Sequence, residues 1–393
     1  MKIESLTHHG LGRAEDGTLI PRVLPGEEIE GEKIVTPSSD RVAPPCRHFR
    51  TCGGCSMQHA SDAFVAAWKI GIVETALKAR GIDGEIAGIE TSPPRSRRRA
   101  KLSGRRTKKG ALVGFHARGS DVLIEVPDCE ILLPALRGLI PALEELTVAI
   151  GSRKGEIAYT VTDTLNGPDL HIHNAKPLDE ELRRTLADFA QANDLSRLVL
   201  EDEQIVTRLP PVQQFGKAQV APPPGAFLQA TRQGETALKT RVLDTVLGAA
   251  RVVDLFSGCG TFSLPLAERS EVHAVETFAP MLEALDKGWR HTQGIKKVTT
   301  EKRDLFRNPL DVSDLGRFDA AVLDPPRAGA EAQVREIADS DLTQVAMVSC
   351  NPVTFARDAQ TLLDGGFKMG PITVVDQFRW SAHVELFAAF TRL

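Results

Sequence analysis

The sequence lacks the features that mark membrane and secreted proteins. It has no apolar run of the roughly 18 residues that a membrane-spanning helix requires. The first residues, MKIESLTHHG, contain no apolar segment of a secretory signal. No low-complexity segment or internal repeat is present either. These absences predict a cytoplasmic globular protein with no membrane partner, in which disulfides should be rare.

The chain also lacks a large excess of one charge. It has 48 Lys and Arg against 52 Asp and Glu, a net charge of −4, so it is not coated with basic charge as a histone-like protein is. Cations are nevertheless concentrated locally, because nine residues between Arg95 and Lys109 are Lys or Arg and none is acidic. This run predicts contact with the phosphates of a nucleic acid.

The 393 residues are more than a single average domain needs, and their composition divides them into three. Residues 1–45, rich in Gly, Pro and Glu, predict a small β unit. Residues 46–225 begin with a cysteine-containing loop, continue as a β-rich region and end in a proline-rich linker over 208–225. Residues 226–393 alternate short apolar runs with helical stretches, a pattern typical of βαβ units.

A helix is predicted over residues 61–80, directly after the cysteine-containing loop. Ser61 is a suitable N-cap, and Gly81 is a suitable stop. Apolar residues recur at helical spacing and predict the buried face, namely Val65, Trp68, Ile72 and Ala76.

The last third of the chain predicts a doubly wound α/β domain of Rossmann type. Four apolar runs predict parallel strands, namely Val252–Phe256, Val272–Glu276, Ala320–Asp324 and Val345–Cys350. The last two runs, Ile372–Phe378 and Val384–Phe390, have no helix between them and predict an antiparallel hairpin at the edge of the sheet.

A cofactor site is predicted where the first of these strands ends. Residues 252–262 read VVDLFSGCGTF, a strand that enters a glycine turn at Gly258 and Gly260. The next strand ends in Glu276, an acid that can accept hydrogen bonds from a ribose diol. The segment has neither the GxGxxG pattern nor a Walker lysine, so a nucleoside without phosphates fits better. S-adenosylmethionine is such a cofactor.

Two further reactive residues are expected near this turn. Asp324 and Cys350 follow parallel strands, and Glu385 opens an antiparallel one, so all three should share one edge of the sheet. A thiolate that adds to carbon 6 of uracil makes carbon 5 nucleophilic toward a methyl group, and a base must then remove the carbon-5 proton. Cys350 suits the first role, and Glu385 suits the second.

Four other cysteines suggest a metal centre. Cys46, Cys52 and Cys55 are spaced C-x5-C-x2-C, and Cys129 lies far downstream. Four thiolates can hold zinc or a [4Fe–4S] cluster, and three clustered cysteines with one distant partner favour the cluster. Cys259, within the glycine turn, is expected only to pack there.

The motifs CGGC, DLFSGCGTF, DPPR, SCNP and HVE occur in this order, and together they resemble class I RNA 5-methyluridine (uracil-C5) methyltransferases. The resemblance implies that Cys350 is the nucleophile and Glu385 the base, and that Cys46, Cys52, Cys55 and Cys129 bind a [4Fe–4S] cluster. It implies a set of S-adenosylmethionine-binding residues, namely Gln229, Phe256, Thr261, Glu276, Asp304 and Asp324. Members with this cluster resemble the 23S ribosomal RNA enzymes more than the transfer-RNA enzyme.

The resemblance also has limits that leave alternatives open. Residues 1–45 match only the first part of a TRAM domain, a small RNA-binding barrel, and Arg379-Trp380-Ser381 replaces a proline–histidine–threonine run. We expect a monomer that methylates a single-stranded or loop uridine in 23S ribosomal RNA. The alternatives are a transfer-RNA uridine-C5 enzyme, a cytosine-C5 methyltransferase and a non-catalytic iron–sulfur RNA-binding protein.

Overall fold

The first 45 residues form a small β unit in the computed structural model, which describes residues 1–31 and 33–392. Its strands are β1 Ile3–Leu6, β2 Leu11–Ala14, β3 Leu19–Pro21, β4 Glu28–Glu30 and β5 Lys33–Thr36. Strands β1 to β3 form one antiparallel sheet, and β4 pairs with β5. Ile3, Ala14, Val23 and Ile29 pack together between them, so this short segment has an apolar core of its own.

The predicted helix is present as α1 Asp62–Lys78, followed by β6 Ile86–Thr91. The Ser61 hydroxyl accepts a hydrogen bond from Phe64 N, which confirms the N-cap. Of the predicted apolar positions, Val65 is buried, and Trp68, Ile72 and Ala76 are half-buried against the apolar cores. The other fully buried side chains are Lys69, Val73 and Leu77. The helix carries two adjacent apolar stripes, and the one with Trp68, Ile72 and Ala76 lines an open cleft.

A second unit follows in the middle of the chain. Its elements are β7 Arg99–Arg106, β8 Ala111–His116, β9 Leu123–Glu125, α2 Pro134–Gly138, α3 Ile140–Ile150, β10 Ile157–Thr162, β11 Asp169–His173, α4 Glu180–Ala192, β12 Arg197–Leu200 and β13 Glu203–Thr207. The strands form one sheet in the order β13-β12-β11-β10-β7-β8-β9. Helices α3 and α4 cover its core, which includes Leu143, Tyr159 and Leu186.

The proline-rich segment 208–225, predicted to be a linker, contains a packed hairpin instead. Its strands are β14 Gln213–Phe215 and β15 Ala218–Val220. Phe215, Ala218 and Val220 are buried against Leu264 and Met281 of the following unit. The alternating apolar side chains of the hairpin decide this packing, and the prolines lie on either side of it.

The last unit is built on a doubly wound sheet, as predicted. Its elements are α5 Arg232–Thr245, β16 Arg251–Leu255, α6 Ser263–Leu266, β17 Glu271–Glu276, α7 Ala279–Arg290, β18 Val298–Lys302, α8 Val312–Leu315, β19 Ala320–Leu323, α9 Glu331–Asp339, β20 Gln344–Ser349, α10 Pro352–Asp364, β21 Lys368–Met369, β22 Ile372–Asp376 and β23 Glu385–Thr391. The strand order is β18-β17-β16-β19-β20-β23-β22-β6. Separate apolar cores on the two faces of the sheet pack against the helices.

The predicted hairpin of β22 and β23 forms, but it is not the edge of the sheet. Strand β6 pairs in parallel with β22 and takes the edge position, and α1 packs against β6 and α10. Residues 62–91, assigned to the central domain from the sequence, therefore pack with the last unit. In the part of the chain that the structure describes, no helix is long and apolar enough to span a membrane.

Candidate active site

The topology brings the predicted site residues to one edge of the sheet. Strands β16, β17, β19 and β20 are parallel and end at this edge, where β23 begins because it runs antiparallel to β20. A cavity of about 420 Å³ opens there. Its lining includes all eight residues predicted for the cofactor and the reaction, namely Gln229, Phe256, Thr261, Glu276, Asp304, Asp324, Cys350 and Glu385.

The glycine turn after β16 forms the floor of this cavity. Gly260 has a φ of +93°, and a Cβ at this position would lie 2.9 Å from Leu285 Cγ, so only glycine fits. Phe256 adopts a φ of +63° although it is not glycine, a strained conformation of the kind that functional sites retain. The strain places the Phe256 ring in the cavity wall, 5.5 Å from the ring of Phe306.

Glu276 is held rigidly at the end of β17. One of its carboxylate oxygens accepts a hydrogen bond from Gly258 N at 3.2 Å, and the other accepts from Thr277 N at 2.7 Å and Phe278 N at 3.0 Å. These backbone donors fix the carboxylate beside the glycine turn while its remaining lone pairs face the cavity. The arrangement suits recognition of a diol.

Gln229 and Asp324 are joined in a second network on the opposite wall. Gln229 Nε2 donates to Asp324 Oδ2 at 3.2 Å, and Gln377 donates to the Gln229 side-chain oxygen. Burial raises the pKa of Asp324 to about 7, although the hydrogen bond from Gln229 opposes the shift. Burial likewise raises the pKa of Asp254, at the end of β16, to about 7. This wall therefore favours a cation, which would stabilise the ionised carboxylates.

Cys350 and Glu385 lie where β20 ends and β23 begins. Burial raises the pKa of the Cys350 thiol to about 11; the charges of Glu385 and Asp324 add to this shift, and Arg327 opposes it. Burial also raises the pKa of Glu385 well above its usual range. Among the described residues, Glu385 Oε2 has no hydrogen-bond partner. In the free protein, burial therefore disfavours the ionised form of both groups.

Cys350 also lines a second and larger cleft. This cleft has a volume of about 930 Å³, and its wall is formed by the exposed stripe of α1, the start of α10 and the loop before β23. Arg327 and Cys350 line both spaces. The thiol can thus meet one reactant from the cofactor cavity and another from the cleft.

The four clustered cysteines come together outside the cavity at this edge. Cys46, Cys52, Cys55 and Cys129 line one small cavity. Burial raises the pKa of Cys55 to about 12, and the neighbouring cysteines add to the shift. Within residues 1–31 and 33–392, no three Cys, His, Asp or Glu side chains are placed to hold a single metal ion.

The cysteine loop is fastened on two sides. Asp128, the neighbour of Cys129, accepts from His48 at 2.6 Å and pairs with Arg47 at 2.9 Å. On the other side, Trp380 O accepts from Ser56 N at 2.7 Å and from Met57 N at 3.0 Å. The cysteine loop is therefore in direct contact with the loop that leads to Glu385.

The basic run at 95–109 is not the continuous phosphate-binding strip that its sequence suggests. Arg98 is 1% exposed and pairs with buried Glu235, and Arg95 and Arg105 pair with Glu130 and Glu156. Each of these arginines joins its segment to a neighbouring one through the ion pair. Four cations of the run are exposed, namely Arg95, Lys101, Lys108 and Lys109, and of these Arg95 is paired with Glu130.

Sequence reasoning did not assign a role to Arg327, Phe227 or Phe306, which also line the cofactor cavity. Arg327 lies within the DPPR motif, and that position is a signal that could have been used. Phe227 and Phe306 are 60% and 47% exposed, and no spacing rule in the sequence points to them. Large exposed aromatic rings beside a cavity can stack on a ligand.

Comparisons with known proteins agree with this geometry. The family model described as tRNA (Uracil-5-)-methyltransferase matches residues 190–392. An uncharacterized RNA methyltransferase of Brucella suis is 42% identical over 393 residues, covering 98% of this chain and 95% of that protein. The 23S rRNA (uracil(1939)-C(5))-methyltransferase RlmD of a Shewanella species is 30% identical over 426 residues, covering 99% and 94%.

One solved structure resembles the whole chain. The tRNA (uracil-54, C5)-methyltransferase of Pyrococcus abyssi, in complex with S-adenosyl-L-homocysteine, superposes with a TM-score of 0.77 at 21% identity. The match covers 99% of this chain and 98% of that one. At this level of identity the likeness establishes a shared fold.

Proposed function

The chain belongs to the RNA uracil-C5 methyltransferase family and is an S-adenosylmethionine-dependent RNA (uracil-C5)-methyltransferase, and we propose that it modifies a uridine in 23S ribosomal RNA through a covalent Cys350 adduct. One observation carries this mechanism: Cys350 lies in the wall shared by the cofactor cavity and the larger cleft. A nucleophile in that position can hold the base while carbon 5 faces the methyl donor.

The proposed reaction uses Cys350 first and Glu385 second. The Cys350 sulfur forms a bond to carbon 6 of the uracil, and the electrons of the carbon 5–carbon 6 double bond move toward carbon 5 and the carbonyl. Carbon 5 then bonds to the methyl group that bound S-adenosylmethionine would supply; the bond between that methyl group and the sulfonium sulfur would break, and S-adenosyl-L-homocysteine would leave. Glu385 removes the carbon-5 proton, the double bond re-forms, and the bond from carbon 6 to sulfur breaks.

The raised pKa values of Cys350 and Glu385 explain why the free site is unreactive until its reactants bind. Cys350 and Glu385 both have raised pKa values because of burial, so neither is ready to react alone. When bound, S-adenosylmethionine supplies the methyl group and a positive sulfonium beside these carboxyls. Arg327 favours the Cys350 thiolate from the other side.

The remaining cofactor residues have roles that follow from their contacts. We propose that Glu276 binds the ribose diol, because three backbone donors fix its carboxylate beside the glycine turn. Phe256 and Phe306 offer rings for the adenine, and Asp304 and Thr261 border the same space. Gln229 and Asp324 lie on the opposite wall, where the methionine part would reach toward Cys350.

We also propose that Cys46, Cys52, Cys55 and Cys129 hold a [4Fe–4S] cluster with a structural role. The grouping of four thiols around one cavity supports this assignment. The raised pKa values of Cys52, Cys55 and Cys129 fit as well, because a buried thiolate needs the charge of a metal centre to form. Bound there, the cluster would join residues 46–55 to residue 129 and brace the loop before Glu385.

The domain assignment that accompanies this function is likewise a proposal. Residues 1–45 would serve as a truncated TRAM-like segment, residues 46–225 as the RNA-binding and cluster-binding region, and residues 226–393 as the methyltransferase domain. The packing of residues 62–91 on the catalytic sheet links the second region to the third.

The target is tested by mapping 5-methyluridine in ribosomal and transfer RNA from cells with and without this gene. We expect one 5-methyluridine to disappear from 23S ribosomal RNA and to return with the wild-type gene but not with Cys350→Ala. Loss of the modification from transfer RNA instead would favour the alternative target. Methyl transfer to cytidine in a short RNA would contradict uracil specificity.

A further inference from the structure

A third cavity lies between the four-cysteine loop and the loop before β23. Its volume is about 440 Å³, and it is bordered by Gly53 and Gly54, by Arg97 and Arg118, and by the segment Ser381–His383. It adjoins the space lined by the four cysteines, with which it shares Gly54 and Cys55. Neither the cofactor nor the reaction described above uses it.

The two arginines in this cavity are not neutralised by acids. Arg97 donates only to Arg99 O and lies 5.6 Å from the centre of the Phe378 ring, and Arg118 donates only to Cys55 O. Across the described ranges, neither guanidinium forms an ion pair with a carboxylate. Arg95, Arg98 and Arg105 in the same region each pair with a glutamate, whereas Arg97 and Arg118 keep several N–H donors free.

The surroundings of the cavity are also positive. Partial burial lowers the pKa of His383, and the charges of Arg327, Lys69 and Arg97 lower it further, together with His9. An anion would relieve the repulsion among these groups.

The cavity is continuous with the cleft at Cys350. His9, Ala382 and His383 line both spaces, so His383 lies between Arg327, at the nucleophile, and the cations Arg97 and Arg118. A polyanion with one unit held at Cys350 would extend along these cations. Single-stranded RNA has this form, with a phosphate for every base.

We propose that Arg97 and Arg118 bind a backbone phosphate of the RNA next to the target uridine, in the cavity beside the four-cysteine loop. This inference rests on the proposed RNA substrate and names where the strand leaves the active site. Gly53 packs closely on the backbone beside Arg118, since a Cβ at this position would lie 2.7 Å from His116 O and 3.1 Å from Arg118 N. Arg97 is thus the residue of the basic run that meets RNA at the site, while most of its neighbours support the fold.

The experiment measures the affinity of a short single-stranded RNA, containing the target uridine, for the cluster-loaded wild-type protein and for Arg97→Gln and Arg118→Gln. Each variant should weaken binding about tenfold, since a charge-assisted hydrogen bond is lost. The dependence of the logarithm of affinity on the logarithm of salt concentration should become shallower by roughly 0.7 for each lost contact to a single strand. Binding of S-adenosyl-L-homocysteine should not change, which shows that the fold is intact.

Two controls make the result specific. Lys101→Gln and Lys108→Gln remove exposed cations from the same basic run, outside this cavity, and should change affinity less than twofold. A second RNA carries a neutral methylphosphonate in place of a single phosphate. Its affinity for the wild type should be lower than that of unmodified RNA, whereas Arg118→Gln should bind both RNAs with the same affinity. This loss of sensitivity would identify the phosphate that Arg118 contacts.

Several outcomes would overturn the inference while leaving the proposed function intact. Unchanged RNA affinity and salt dependence in both arginine variants, with methyl transfer preserved, would exclude the cavity as a phosphate site. Larger losses of affinity in Lys101→Gln and Lys108→Gln would indicate that the RNA binds on the outer face of β7 instead. Absence of methyl transfer by the wild type, with RNA binding still dependent on Arg97 and Arg118, would instead overturn the proposed function alone.

Discussion

The two spaces that meet at Cys350 differ in charge. The cofactor cavity is bordered by the carboxyls of Glu276, Asp304, Asp324 and Glu385, whereas the cleft on the other side continues into a region of unpaired cations. Acidic groups there suit a positively charged sulfonium, and basic groups suit a polyanion. The net charge of −4 averages over these two faces, so charge summed over the chain says little about either partner.

The difference also explains how one thiol can serve two reactants. Burial and neighbouring carboxyls keep Cys350 protonated, and Arg327 is the nearby cation that opposes them. Binding of S-adenosylmethionine in the cofactor cavity would add positive charge on one side of Cys350. Binding of RNA in the cleft would bring the uracil to the other side. We expect substitutions on the acidic side to alter the methyl-transfer reaction. Substitutions on the basic side should alter RNA binding and the shape of the cleft.

The largest effect is expected on the acidic side, from Glu385→Gln. Without a base the carbon-5 proton stays in place, so turnover should fall about 1000-fold while the Cys350 adduct can still form. Single-turnover assays with separate detection of adduct and product measure this. Glu283→Gln, an exposed change on α7, is the matched control. Normal turnover in Glu385→Gln would remove the proposed base.

A change behind the basic cleft should mainly affect folding. Lys69, on α1, is fully buried and pairs with Asp376, and its ammonium also donates to His383 O at 3.0 Å and Phe378 O at 3.2 Å. Lys69→Met leaves the Asp376 charge buried and unpaired, which should lower the free energy of unfolding by about 3–5 kcal/mol. Denaturant titration measures the loss.

Two further variants separate the ion pair from general effects on the helix. Lys78→Met changes an exposed lysine on the same helix and should alter stability by less than about 0.5 kcal/mol. The double variant Lys69→Met with Asp376→Leu should recover most of the lost stability, because no isolated charge remains. Equal losses in the single and double variants would argue against the ion pair as the cause.

On the acidic side, Asp254→Asn should stabilise the protein at neutral pH. The pKa of Asp254 is raised to about 7 by burial, so the folded state keeps a proton that the unfolded state releases above about pH 4. Wild-type stability from this group is therefore lost as pH rises from about 4 to about 7. The variant avoids that loss and should gain about 2 kcal/mol at pH 8.

The gain from Asp254→Asn should disappear below about pH 4, where the aspartate is protonated in both states. Thermal unfolding at a series of pH values tests this, with exposed Asp121→Asn as the control. A gain that does not depend on pH would contradict the assignment of the shift to burial of a carboxyl.

The smallest effect is expected at the boundary between the two spaces. Alkylation of Cys350 by iodoacetamide, followed by mass spectrometry of its peptide, should accelerate with pH toward a midpoint near 11. Arg327→Gln removes the cation that favours the thiolate and should slow alkylation about threefold at pH 8. Faster alkylation in this variant would show that Arg327 shields the thiol rather than activating it.

The catalytic unit could be predicted from the sequence because its signals are local. Strand bounds such as Ala320–Leu323 and Gln344–Ser349 follow from short apolar runs, and the edge on which Asp324, Cys350 and Glu385 meet follows from strand direction alone. The pairing of β6 with β22 could not be predicted in this way, since it joins segments about 280 residues apart and depends on tertiary packing.

The basic run shows the opposite case, in which a clear sequence signal was misleading. Charge density alone does not reveal which guanidiniums face inward, and Arg98 is paired with Glu235 from a distant helix. Of the unpaired cations near the cleft, Arg97 belongs to the run, whereas Arg118 and Arg327 are isolated in the sequence. They line adjoining spaces because three separate loops meet there.

The central claim is that Cys350 bonds to the target base between the two spaces. The most direct test incubates the protein with S-adenosylmethionine and RNA that carries 5-fluorouridine at the target position, because fluorine at carbon 5 cannot be removed as a proton and the adduct should persist. We predict a denaturation-resistant protein–RNA complex whose linkage maps to the peptide containing Cys350 and is absent in Cys350→Ala. A linkage to another cysteine, or undiminished methylation by Cys350→Ala, would contradict the account.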